Sequence, residues 1–376
     1  MNKVGLLLPR SGIFPLLGSD FIAGFHSFLK RQGLEGQIKL FPESIGLGAD
    51  KKEIYQKTEK LLVLDQVDVV VAFTDQITLD TTLPLIDSIQ KPFIVVNAGA
   101  NYASNWIPPD SVIFLTLQDG LLSRLTSLQA INTGYLQCAY AVSYYDGGYH
   151  HGHAMVTPYL AKGGEILFNY VSQLRTVDFT VEPLINYLGE SPIKSVLGIF
   201  SGDESNRFLE TLDQAGFEAL KLFVSPQMLE EQTLSKLHKP LALELQGFVP
   251  WHSTIDTDAN RAFMSSILED SGRVANIFSL LGWEAGLLIA QLKKKGATVL
   301  DALNQNILDT PRGKLMLDAH SHHLISPAYA IQGGKGNQLR LTGSLSAETC
   351  MGEWQQLMDI SETGGSSGWT NTYLCY

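Results

Sequence analysis

The chain has 376 residues, more than one compact core usually holds, so the length favours two domains. Hydrophobic residues make up 45% and charged residues 17%, and no run of about 18 apolar residues exists to span a bilayer. The formal net charge is −11 and the lysines and arginines are scattered, with 293–295 the only triple, which excludes nucleic-acid binding as the main task.

In chain order, "VGLLLPRSGIFPLLGSDFIAGF" (residues 4–25) opens with an apolar run that lacks polar alternation, as a strand buried on both faces requires. It breaks at Pro9 and Gly12 and then repeats apolar residues at spacings of three and four, from Phe21 through Phe25 to Leu29, as a helix with one buried stripe does. Further strands are predicted over 38–41, 67–73, 93–96, 112–115, 139–144, 166–170, 196–200 and 220–224. Helices are predicted over 52–64, 79–89, 152–160, 179–188 and 205–215. Strands separated by helices of crossover length imply parallel winding, and loops at the strand carboxyl ends are the usual place for a ligand. The pattern falls into two α/β halves, then a helical stretch over about 258–308, then strand-like segments at 314–317 and 326–331. The last residues, "SETGGSSGWTNTYLCY", read as a Gly/Ser-rich spacer before a short anchored strand, or as disorder.

Cys138 reads as a core residue; Cys350 and Cys375 could pair in an oxidising compartment. The histidine clusters His150, His151, His153 and His320, His322, His323 lack a diagnostic metal spacing and are expected to be exposed loop residues, with His150 at a cleft rim. No nucleophile elbow, phosphate loop or zinc helix is present, and "GLGAD" (46–50) and "GGKGNQ" (333–338) read as turns, so neither an enzyme nor a cofactor is expected. Met1 runs into the first strand without a charged region and a cleavage site, so the sequence is expected to carry no signal peptide.

The opening segment, "VDVVVAFTDQITLDTTLPLID", "KPFIVVNAGAN" and "TPRGKLMLDAHSHHLISPAYAIQ", taken in order, resemble the type I periplasmic binding proteins of the leucine/isoleucine/valine-binding branch, over about residues 3–335. The resemblance implies two doubly wound parallel-sheet α/β lobes joined by a three-strand hinge. It puts 1–117 with 252–326 in lobe one, 118–251 with 327–360 in lobe two, and 361–376 in a tail. It implies a periplasmic or other extracytoplasmic location, a small-molecule ligand (an amino acid or another small polar or aromatic solute), and the membrane permease of an ABC transporter as partner. A sensory module that signals to a protein partner is the alternative.

Carried over residue by residue, the lobe-one site falls on Ser11, on Asp75 and Gln76 where the family has two serines, and on Asn97, Gly99, Ala100 and Asn101 after the fourth strand. The lobe-two site falls on Tyr149 and on Gln227, which stands where amino-acid binders carry a glutamate. A carboxylate at Asp75 facing a ligand carboxylate at about 4 Å would cost several kcal/mol in a partly dry cleft, so Asp75 argues against an ordinary amino-acid ligand unless it caps the following helix instead. Phe14, Tyr102, Trp106 and Trp251 are expected to pack rather than stack on ligand.

Overall fold

The computed structural model describes residues 2–103, 106–217, 219–295, 300, 303, 308–334, 338–359 and 369–375. Five strands, β1 (Lys3–Leu8), β2 (Lys39–Ser44), β3 (Val69–Phe73), β4 (Phe93–Asn97) and β5 (Val112–Thr116), form a wholly parallel sheet in the order β2-β1-β3-β4-β5. The central three are buried along most or all of their length, which is why they read as unbroken apolar runs.

The second sheet has the order β15-β14-β10-β9-β8-β6-β7. Its strands β6 (Gln137–Val142), β7 (Glu165–Val171), β8 (Ser195–Ile199), β9 (Lys221–Val224) and β10 (Glu244–Val249) run parallel. A small sheet of β11 (Leu308–Thr310), β12 (Gly313–Leu317) and β13 (Leu324–Ile325) lies between β10 and β14 in sequence. Then β14 (Ala328–Gly334) and β15 (Gln338–Leu345) add an antiparallel edge to the second sheet. The chain leaves the first sheet after β5, returns after β10 and passes to the second sheet again after β13. Gln118 at the first passage donates to Leu324 O and Ser326 Oγ at the third.

Helix α1 (Leu17–Arg31) lies against α2 (Ile277–Lys295) on the first sheet. A Cβ at Gly24 would stand 1.8 Å from Ser279 O and one at Gly282 1.9 Å from Phe21 O, so only glycine lets the two backbones approach this closely. Asp20 fixes the pair, accepting from Arg273 and from Asn276 Nδ2 at 2.8 Å.

Several sequence expectations need correction. The predicted helix over 79–89 is two pieces, Gln76–Leu79 and Leu83–Ile89, because Pro84 fits only the first turn of a new helix. The strand β10 and the strand β15 were not anticipated, nor was helix α3 (Ala347–Met358). The histidines are not all exposed. His151 bonds Asp146 O, His322 Nδ1 lies 3.0 Å from Val112 O, and His323 stacks on Phe114 at 4.3 Å. Cys350 and Cys375 are free and buried in separate core clusters, the first with Trp354 and the second with lobe-one residues. Residues 335–337 of the "GGKGNQ" turn, part of the helical stretch between 296 and 307, and the spacer 361–368 lie outside the described residues.

Candidate functional site

The carboxyl ends of β1, β3 and β4 face those of β6, β8 and β9 across a cleft between the sheets, and residues 369–375 of the same chain lie in it. Each side builds its part of the site from turns that follow buried strands.

On the first side, Ser11 Oγ accepts from Phe14 N at 2.8 Å, closing the turn after β1, and donates to Leu374 O. Asp75 opens the short helix after β3, but its side chain makes no capping bond. Its Oδ2 instead accepts from Asn101 Nδ2 at 3.0 Å, the backbone N–H of Tyr373 faces the same carboxyl, and Oδ1 lacks a well-formed hydrogen bond. Asn101 passes the link across the cleft, because its Oδ1 accepts from His150 N at 3.2 Å. Asn97 spends both ends of its amide inside its own lobe, on Thr74 O and Gly99 N. Gly99 has φ +76° and Ala100 is fully buried, so these two shape the turn that carries Asn101. Gln76 stands half-buried beside Asp75 and takes no part in this network.

On the second side, Asp146 occupies the turn after β6. Its Oδ2 accepts from Ser143 Oγ at 2.5 Å and Ser201 N at 2.9 Å, and its Oδ1 accepts from Tyr373 Oη at 2.5 Å. Tyr149 donates to Tyr145 Oη at 2.9 Å, and its ring meets Tyr373 edge-on at 4.7 Å. Gln227 donates from Nε2 to Asp119 Oδ2 at 2.9 Å, while among the described residues Gln227 Oε1 and Asp119 Oδ1 are buried without hydrogen-bond partners. A cavity of about 300 Å³ remains between the two sides, lined by Gly12 and Ile13 from one and by Ser143, Tyr145, Ser201 and Glu204 among others from the other.

The electrostatics are unusual for a cleft. Asp75, Asp119 and Asp146 are all buried, and among the described residues none of them has a cation as partner. Burial pushes the Asp75 and Asp119 carboxyls up to about 7 and the Asp146 carboxyl up to about 6, against hydrogen bonds that pull the other way. His151, also fully buried, is pushed down to about 4 and stays neutral, its Nε2–H donating to Asp146 O. Asp119 and Asp146 escaped the sequence reading. Asp146 stands in the "YYDGGYHHGH" turn already singled out for Tyr149, and a carboxylate between two aromatic pairs was the available signal. Asp119 had none, since its Asp-Gly pair reads as a turn.

Phe14, Trp106 and Trp251 pack on Phe278, Phe114 and Phe263. Tyr102 packs between Trp354 and His150. Two facing α/β sheets with a polar cleft match one family model, "Periplasmic binding protein", over residues 2–338. The chain belongs to the periplasmic binding protein family.

Among curated relatives, Leu/Ile/Val-binding protein homolog 6 of Brucella abortus (strain 2308) is 22% identical over 345 residues, covering 87% of this chain and 86% of the relative. Among solved structures, an ABC transporter solute-binding protein from R. palustris in complex with benzoate matches with a TM-score of 0.73 at 21% identity, covering 92% of this chain and 98% of the other. An ABC transporter substrate-binding protein from Sphaerobacter thermophilus matches with a TM-score of 0.79 at 17% identity, covering 92% and 98%. In this periplasmic binding protein the loops that face each other across the cleft are those that carry Ser11, Asp75, Asn101, Asp146 and Tyr149.

Proposed function

We propose that this chain is an extracytoplasmic solute-binding protein, not an enzyme, that clamps a small molecule between two lobes and delivers it to the membrane permease of an ABC-type transporter. Lobe one comprises 1–117 with 252–326, and lobe two 118–251 with 327–360. The observation that carries the reading is the Asp75–Asn101–His150 link, in which polar groups of both lobes converge at one point of the cleft. Closure on a ligand is a population shift, since the closed form gains contacts from both sides. Ser11, Gln76 and Asn101 supply lobe-one polar contacts, Asn97, Gly99 and Ala100 shape their turn, and Tyr149 and Gln227 clamp from lobe two.

Asp75 sets specificity. A ligand carboxylate beside it, with Asp119 and Asp146 in the same cleft, meets buried carboxyls and no cation, so the solute is a polar neutral or aromatic molecule rather than an ordinary amino acid. The aromatic lining of Tyr145 and Tyr149 supports a ring-bearing ligand. A thermal-shift screen of amino acids, sugars, polyamines, short peptides and aromatic solutes tests this. A solute at about 100 times its Kd stabilises the folded form by about 2.7 kcal/mol, a melting shift of several degrees. A shift with aromatic or neutral polar solutes that Tyr149→Ala removes supports the reading; a shift with branched-chain amino acids alone overturns the specificity assigned to Asp75.

A further inference from the structure

Residues 369–375, Trp-Thr-Asn-Thr-Tyr-Leu-Cys, are held in the way a ligand is held. Among the described residues they form no main-chain to main-chain hydrogen bond with the rest of the protein; the bond from Cys375 N to Thr372 O is internal to the segment. Side chains of both lobes grip them instead. Ser11 Oγ donates to Leu374 O, the Tyr373 N–H faces the Asp75 carboxyl, and Tyr149 Oη reaches Asn371 O at 3.4 Å. The Tyr373 phenol donates to Asp146 and its ring meets Tyr149 and His151 edge-on, each at 4.7 Å. Trp369 Nε1 donates to Tyr145 O at 2.7 Å.

Two glycines make room for this segment. A Cβ at Gly148 would stand 1.9 Å from Trp369 Nε1, and one at Gly48 would stand 2.7 Å from Thr372 Oγ1. The fit is nonetheless imperfect for a permanent part of a core. Leu374 takes φ +71° and, among the described residues, Thr372 Oγ1 is buried without a hydrogen-bond partner.

We propose that residues 369–375 are a tethered, exchangeable occupant of the cleft, and that the cleft binds a peptide segment turned at a tyrosine, which any other solute must displace. The proposal rests on the cleft reading above for its location and goes beyond it in naming a peptide as ligand and the chain itself as competitor. Recognition is by main-chain groups, through Ser11, Asp75 and Tyr149, and by three side chains, the Tyr373 phenol on Asp146, the Trp369 indole on Tyr145 O and the Asn371 amide on Tyr145 Oη at 3.1 Å. An arrangement of that kind accepts a segment turned at a tyrosine and preceded by an aromatic and an amide side chain.

The test places a protease site within 361–368 of the full chain, so that the protein folds intact before it is cut. After cutting, the released peptide is expected to dissociate on dilution, leaving a body with unchanged far-ultraviolet circular dichroism and a cooperative urea transition as its tertiary signal. Calorimetry with a synthetic 369–375 peptide carrying Cys375→Ser should then show one peptide bound per body. The Tyr373→Phe peptide should bind about tenfold or more weakly, since the lost hydrogen bond goes to a carboxylate. A body that loses its tertiary signal when the peptide leaves shows an integral core segment and overturns the proposal, as does a folded, emptied body that does not take the peptide back. If that emptied body still binds a solute from the thermal-shift screen, only the peptide proposal fails; if it binds neither, the cleft reading fails with it. Independently, Gly148→Leu in the uncut chain is expected to speed amide exchange over 369–375 at least tenfold, and unchanged exchange counts against the seat described for Trp369.

Discussion

Replacing Asp75 by asparagine isolates the cost of a buried carboxyl at the centre of the cleft. The carboxyl is 2% exposed, and burial raises it from the ordinary 3.8 to about 7. Because the folded value lies above the unfolded one, the folded state holds the extra proton, and the contribution of Asp75 to stability falls as pH rises from about 4 to 7. At about 1.4 kcal/mol per pH unit, the penalty is on the order of 2 kcal/mol at pH 5 and 4 kcal/mol at pH 8. Asp75→Asn abolishes the titration and keeps an oxygen to accept from Asn101. The variant should therefore gain roughly 2–3 kcal/mol relative to wild type between pH 5 and pH 8, whatever constant offset the new amide introduces. Urea unfolding of both proteins at the two pH values measures this directly, and every group the substitution leaves alone cancels in the difference. Parallel pH profiles for the two proteins would refute the assignment of Asp75 as a carboxyl whose proton is held by burial.

His151 gives a complementary signature. Its folded value is pushed below the unfolded one, so its stabilisation is complete above about 6.5 and is lost as pH falls through about 4; its ring should remain neutral by NMR at pH 5.5, and an imidazolium there would contradict the burial argument. Arg312 and Glu284 are both fully buried, joined at 2.8 and 2.9 Å, and Arg312 Nη1 also donates to Thr116 O at the end of β5. Arg312→Met leaves Glu284 charged and alone, and should cost about 3–5 kcal/mol in urea unfolding; a loss under about 1 kcal/mol would show that water reaches the pair. Gly99→Ala puts a Cβ 2.8 Å from Gln118 N at a backbone of φ +76°, and should lower stability by about 1–3 kcal/mol, more than the same change at solvent-facing Gly134.

The parallel strands were legible because burial on both faces writes an uninterrupted apolar word, as in Val69–Phe73 and Val112–Thr116. The antiparallel edge was harder to read. In β15, Gln338–Leu345 mixes Arg340, Thr342 and Ser344 with leucines, because an edge strand keeps one face in water. Within the site, the turns were found from their glycine, serine and asparagine content, while the pairing of Gln227 with Asp119, 108 positions apart, is set by the packing of two strand ends and leaves no local trace. The seating of residues 369–375 was least readable of all, since "WTNTYLC" after a Gly/Ser-rich spacer has no period, and its partners Ser11 and Asp146 lie 363 and 227 residues from the groups they hold.

The central claim is that ligand is held between the lobes, and amide exchange of the full chain with and without a solute that raises the melting temperature tests it most directly. The account predicts simultaneous protection of the turn at Ser11–Phe14 and the turn at Ser143–His151, one from each side of the cleft, with faster exchange over 369–375 as the segment is displaced. Protection confined to one lobe, or to the surface groove lined by Leu234, His252 and Arg340, would contradict it.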